Sequence, residues 1–201
     1  MPRIERPTSP LVAVCASYLA FGMPIAMLGA GWPEVRHDLG RPSSALGLVA
    51  TAYGLGRLST STSGQALLRR WAIGPATTGL LAVLALASLV VAVGRSFPVL
   101  VGAFALIGMV SGGLDALGSR YQTVVRVVRN AGLMFGAYGV GATIGPAVVA
   151  VTTWTTAYLA ATAVAVAAAV VAGSPTVAWP AGIEAPGARE AIPATCPPPP
   201  P

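Results

Sequence analysis

Apolar residues along this chain fall in six long blocks, and the stretches between them hold most of the charge. The blocks run from Leu11 to Gly31, Ala45 to Leu68, Gly74 to Val93, Pro98 to Leu117, Ala131 to Val151 and Thr153 to Ala172. Each is about 20 residues long, roughly 30 Å as a helix, which is the thickness of a bilayer's hydrocarbon core. A helix is the one isolated segment that satisfies its own backbone in lipid, so the pattern predicts six membrane-crossing helices. The shortest connection lies between the fifth and sixth blocks, where Thr152, Thr153, Thr155 and Thr156 surround Trp154.

Composition excludes the main alternative. Only 9% of the 201 residues are charged and 55% are hydrophobic, whereas a soluble domain carries about a quarter charged residues to cover its surface. The net charge of +6 raises the question of nucleic acid. All twelve basic residues are arginines, however, and they stand singly or in pairs, mostly outside the apolar blocks, instead of forming a basic stripe, so no nucleic-acid partner is expected. The absence of lysine, with the Ala, Val and Gly bias, fits the codon usage of a GC-rich genome. Cys15 in the first block and Cys196 near the end do not make a redox pair. The first block is long enough to span, and the run of further spans favours a retained first helix over cleavage near Ala30.

The arginines set an orientation. Arg3, Arg6, Arg69, Arg70, Arg120, Arg126 and Arg129 fall on one side if the spans alternate, against Arg36, Arg41 and Arg95 on the other, where Glu34 and Asp38 dilute them. The bias places both termini in the cytoplasm of a multi-pass inner-membrane protein. Residues 1–10 are then a cytoplasmic N-terminus and residues 11–172 a transmembrane bundle. Residues 173–201, with nine of the eighteen prolines, read as a disordered or polyproline tail and as the read-through or frameshifted end of a longer gene.

The bundle contains a weak copy of itself. Ala52-Tyr53-Gly54-Leu55-Gly56 recurs as Ala137-Tyr138-Gly139-Val140-Gly141, 85 residues on. Gly22-Met23 with Leu28 and Ala30 recurs as Gly108-Met109 with Leu114 and Ala116, 86 residues on. Three spans separate the copies, so each crosses in the opposite sense, an inverted three-plus-three repeat.

Few residues inside the blocks carry chemistry. Arg57 lies twelve positions before Arg69, about 18 Å deeper along the helix. At that depth an arginine costs about 2.5 kcal/mol or more and must face a cavity or a partner. Its two readings are a site for an anionic or polar solute, with Tyr53 one turn away, and a structural ion pair. Asp115 is the one carboxylate inside a block. Its readings are a proton-coupling group that also meets the solute, and an interfacial salt bridge with Arg120 or Arg57. Tyr18, Tyr53 and Tyr138 are candidates to stack on or hydrogen-bond a solute, with packing as the plainer role. Gly108 with Gly112, Gly132 with Gly136 and Gly141 with Gly145 are spaced to let helices approach closely, and Pro146 to kink the fifth. Trp32, Trp71 and Trp154 fall at span ends as interface anchors. His37 beside Asp38 reads as a solvated loop residue. With no metal-ligand cluster, nucleotide-binding loop or hydrolytic triad in the sequence, the expectation is a protein that is not an enzyme and has no metal or cofactor.

Several of these stretches together resemble the major facilitator superfamily, in particular its fucose/proton symporter-like branch. Gly31-Trp32-Pro33-Glu34-Val35-Arg36, Leu39-Gly40 and Leu46-Gly47 resemble the junction of its first two helices. Ser63-Gly64 through Leu68-Arg69-Arg70 resembles the signature loop that follows, although Leu68 stands where the superfamily has Asp and Trp71 where it has Gly. Gly112-Gly113-Leu114-Asp115 with Ser119 and Tyr121 is similar to the helix-four motif, Ser119 replacing Asn. Gly139-Val140-Gly141-Ala142-Thr143-Ile144-Gly145-Pro146 resembles helix five. The resemblance covers roughly Leu11 to Ala172. It implies half of a twelve-helix carrier that moves a small solute by alternating access, with Asp115 at the acidic position; the first-helix acid of the branch's sugar symporters has no counterpart here. The partners implied are a solute, the bilayer, and a second six-helix half or a second copy. The alternative is a non-transporting remnant of a split gene.

Overall fold

A computed structural model describes residues 10–62, 72–125 and 128–179, with the side chains of 62, 123–125 and 128–129 left out of account. The described chain is all-helical. It runs as α1 (Pro10–Asp38), α2 (Ala45–Thr62), α3 (Ile73–Val93), α4 (Phe97–Val125), α5 (Val128–Val151) and α6 (Trp154–Gly173). Five of these are long and apolar enough to cross a membrane, which by length and composition makes this a multi-pass membrane protein. Large apolar side chains point outward on every helix, among them Val12, Leu55, Leu86, Leu106, Phe135 and Val170. An exterior of that kind suits lipid as the solvent.

The exception is α2, expected to span from Ala45 to Leu68. Its described part ends at Thr62 and is not among the five, because Arg57, Ser59, Thr60, Ser61 and Thr62 dilute its apolar face. Three of the hydroxyls there are satisfied within the bundle. Ser59 donates to the Gly56 carbonyl at 2.7 Å, Ser61 to the Arg57 carbonyl at 2.9 Å, and Thr60 across to the Met109 carbonyl of α4 at 2.8 Å. The signature-like loop, with Arg69, Arg70 and Trp71, lies outside the described residues.

Other boundaries shift for identifiable reasons. Helix α1 does not stop at Gly31 but continues through Pro33 to Asp38, because its last turns have partners. Glu34 accepts the Trp154 backbone N–H at 2.9 Å, at the N-terminus of α6 where a carboxylate is favoured, and Asp38 accepts the Trp154 indole N–H at 2.8 Å. The Arg95 guanidinium stands 5.9 Å from the Trp154 ring centre. Trp154 and Trp32 are therefore core residues, 1% and 5% exposed, and not interface anchors. His37, expected in a loop, lies in the last turn of α1 with its side chain 91% exposed. Helix α4 runs past Leu117 to Val125, which puts Arg120 inside the helix. The boundary expected after Ala172 matches the end of α6, but the next residues do not leave the bundle: Val177 is buried, and the Trp179 indole covers Gly74 and donates to the Ala172 carbonyl at 3.1 Å. The remainder of the proline-rich tail lies outside the described residues.

Packing pairs α1 chiefly with α5, α2 with α4 and α3 with α6. Two of these crossings are built alike. In the first, a Cβ on Gly22 of α1 would collide with the Tyr138 carbonyl of α5, and one on Gly141 with the Leu19 carbonyl of α1. In the second, a Cβ on Gly108 of α4 would collide with the Tyr53 carbonyl of α2, and one on Gly56 with the Ala105 carbonyl of α4. Backbones meet at both places because no side chain intervenes. Gly112 and Gly145 extend these contacts, whereas Gly132 and Gly136 have open space and pack against nothing, contrary to their expected role.

Gly56→Ala or Gly108→Ala should therefore destabilise the protein by about 1–3 kcal/mol through overpacking. Gly136→Ala, in open space, should be neutral or stabilise by up to about 1 kcal/mol through helix propensity. Thermal unfolding of the purified protein in detergent checks both, and a Gly108→Ala protein as stable as the parent would refute the tight crossing.

Candidate functional site

The close approach of α2 to α4 determines what faces what around Arg57. Gly108 and Gly112 lie against the Arg57 backbone, a Cβ on Gly112 meeting its carbonyl. One turn beyond Gly112, Asp115 takes the Arg57 guanidinium as its partner, Nη2 donating to Oδ2. Arg57, one of the partners foreseen for Asp115, is found against it although 58 residues away in sequence. The pair is only partly withdrawn from solvent, with side-chain exposures of 39% for Arg57 and 25% for Asp115.

Three tyrosines converge on this pair from three helices. Tyr18 of α1 is 2% exposed, and its ring and hydroxyl occupy the space that a side chain at Gly118 of α4 would fill, one turn after Asp115. Its hydroxyl interacts with the Asp115 carboxylate. Tyr53 of α2, one turn before Arg57, is 8% exposed and interacts electrostatically with the guanidinium. Its Oη is nonetheless buried without a hydrogen-bond partner of acceptable geometry. Tyr138 of α5 is half-buried and also lies near Arg57. All five residues singled out in the sequence, Tyr18, Tyr53, Arg57, Asp115 and Tyr138, thus meet in one place, drawn from α1, α2, α4 and α5.

Two aromatic residues that the sequence did not single out extend the cluster. Phe21 packs between Tyr18 and Tyr138, with ring centres 4.9 and 5.3 Å away, and Phe135 meets Tyr18 edge-on at 5.9 Å. Their signal was weak, since a phenylalanine in an apolar block is ordinarily core. Behind Tyr18, a void of about 10 Å³ lined by Val14, Ser17, Thr77, Leu114 and Gly118 has space for no more than a water. The ion pair itself is only partly enclosed.

Chemically, the arrangement offers one permanent cation, one carboxylate able to gain or lose a proton, and phenol hydroxyls that can donate or accept. Among the described residues no group of three or more His, Cys, Asp or Glu side chains could hold a metal ion. No protein-family profile matches the chain, and no curated protein matches it.

A double-mutant cycle tests whether the ion pair supports the fold. Arg57→Leu or Asp115→Asn alone should each cost about 1–3 kcal/mol, since each leaves a partly buried charge without its partner. The double variant should lose less than the sum by at least about 0.5 kcal/mol. Strict additivity in unfolding measurements would show that the two groups do not couple.

Proposed function

We propose that this chain is a six-helix unit of a secondary transporter of the major facilitator type, which moves a small solute across a cell membrane by alternating access coupled to protons. The observation that carries the reading is the Arg57–Asp115 pair, met by Tyr18, Tyr53 and Tyr138 inside a bundle whose exterior is apolar. Ionisable groups at such depth are costly in a membrane protein and line solute or ion paths. In this reading Arg57 and the tyrosines hold the solute, Asp115 carries the proton, and the site works with a second six-helix unit across the open side of the pair.

The paired glycine crossings support the second part of the proposal, that the bundle is an inverted three-plus-three repeat. Gly22 and Gly108 stand 86 residues apart, Gly56 and Gly141 85 apart, and each pair makes the same kind of contact to a carbonyl that is itself offset by 85 or 86 residues. Helix α1 would then correspond to α4, α2 to α5 and α3 to α6, with each α1-type helix crossing the α2-type helix of the other copy. In this reading the excess of arginines puts both termini on the cytoplasmic side.

Uptake into proteoliposomes under an imposed inside-alkaline pH gradient, followed for a mixture of small metabolites by mass spectrometry, tests the function. Asp115→Asn should flatten the dependence of uptake on pH, and Arg57→Leu should raise KM by about tenfold or more, the loss of one charge-assisted contact. Uptake that responds to neither substitution would refute the assigned site, and tagged termini found on opposite faces of the membrane would refute the six-pass arrangement.

A further inference from the structure

We propose that the Arg57 site takes a small monoanionic carboxylate together with one proton, the proton residing on Asp115 and the solute's oxygens replacing that carboxylate on Arg57 and meeting the Tyr53 hydroxyl. The inference rests on the carrier reading above and names its substrate class.

Charge balance carries the argument. The guanidinium and the Asp115 carboxylate neutralise each other in the resting arrangement. A charged solute must part them, and the two partners differ in how they can be left behind. Arginine does not lose its proton in a protein, so a cation displacing Arg57 from Asp115 would abandon a permanent charge in an apolar bundle. Asp115 can be neutralised by a single proton from water. An anion that takes the guanidinium while Asp115 takes a proton leaves the site with the net charge it had before. The balance is Arg⁺ with Asp⁻, plus A⁻ and H⁺, giving Arg⁺ with A⁻ and a neutral aspartic acid. One guanidinium and one proton fit one negative charge, and a carboxylate's two oxygens match the planar fork.

An independent observation points to an oxygen ligand at the same place. Tyr53 Oη is buried beside the guanidinium without a hydrogen bond of acceptable geometry, and a guanidinium can only donate, so the phenol proton has no acceptor. Other hydroxyls nearby are accounted for: Thr60 donates to the Met109 carbonyl, Ser61 to the Arg57 carbonyl and Ser111 to the Ile107 carbonyl. A buried donor left without an acceptor is unfavourable for folding, and an anionic oxygen on Arg57 supplies one. The other groups facing Asp115 do not upset the balance. They are Tyr18 of α1 and Tyr138 of α5, with Arg120 further along α4; α3, which packs on α4, has no titratable side chain.

The test uses the full chain in lipid nanodiscs with benzoate as probe and benzyl alcohol as its neutral analogue. Calorimetry in two buffers of different ionisation enthalpy reads affinity and protons exchanged. Benzoate should bind with about one proton taken up per anion, and benzyl alcohol more weakly. Tyr53→Phe, which keeps the ring, should weaken benzoate by about tenfold, equivalent to 1.4 kcal/mol. Asp115→Asn should bind benzoate with no proton uptake and no dependence on pH, and Arg57→Leu should abolish binding. A melting temperature for each variant separates loss of binding from loss of fold. Benzoate that fails to bind at tens of millimolar, binds without proton uptake, or binds equally to Tyr53→Phe overturns the inference. Arg57-dependent uptake of a neutral sugar together with absent benzoate binding would overturn it while leaving the carrier reading in place.

Discussion

The rest of the molecule is arranged around the need to hold an arginine, only partly withdrawn from its surroundings, in an otherwise apolar bundle. Arg57 sits in a helix whose neighbours are almost wholly apolar, and its charge cannot be removed. It is tolerated because α2 lies directly on α4, backbone against backbone, at Gly56, Gly108 and Gly112. A side chain at any of these positions would push α2 outward and draw the guanidinium away from Asp115. Packing and electrostatics are thus one problem here: small residues set the helix separation, and that separation sets the ion pair. The serines and threonines of α2 follow from the same constraint. The hydroxyls of Ser59, Thr60 and Ser61 bond carbonyls within α2 or on α4, so these three polar side chains beside the arginine are satisfied.

In the proposed repeat, the same crossing is made twice but charged only once. The position 85 residues after Arg57 is Ala142, and the position 86 before Asp115 is Gly29. Tyr53 and Tyr138 correspond, as do their contacts with Gly108 and Gly22. The shared parts are those that bring helices together, and the parts that differ are those that handle charge. A scaffold duplicated for packing would need only one copy to acquire a guanidinium and a carboxylate to become chemically one-sided.

Much of this was legible in the sequence because lipid leaves the chain few choices. Helices α3, α5 and α6 begin and end within three residues of the apolar blocks, since block length and backbone satisfaction both demand a helix there. The site residues were legible by rarity: a lone arginine and a lone carboxylate in apolar blocks cannot be surface filler. What could not be read depends on partners distant in sequence. Nothing near Glu34 or Asp38 says that Trp154 waits more than a hundred residues away, so the extension of α1 and the burial of Trp154 were invisible. The glycine pairs four apart had equal standing as a pattern, yet two met a neighbouring helix and Gly132 with Gly136 met open space. Spacing identifies a face able to approach another helix, and only the fold supplies the helix.

Two buried tyrosines separate structure from chemistry. Tyr158 of α6 is 1% exposed, and its hydroxyl donates to the Pro24 carbonyl of α1 at 2.7 Å, a polar group brought inside and satisfied. Tyr53 is nearly as buried, yet its hydroxyl has no partner although a guanidinium lies close by. A guanidinium only donates, so it cannot receive the Tyr53 proton. Stability alone would favour a phenylalanine there, because an unmet buried donor costs about 1–3 kcal/mol. In the proposed site the hydroxyl gains a use when an acceptor oxygen arrives on Arg57, and the acceptor already present, the Asp115 carboxylate, is engaged with the guanidinium and with Tyr18. The vacancy for a hydrogen bond and the opportunity for a second anion therefore fall at the same place, and the group that must step aside is the one a single proton can neutralise.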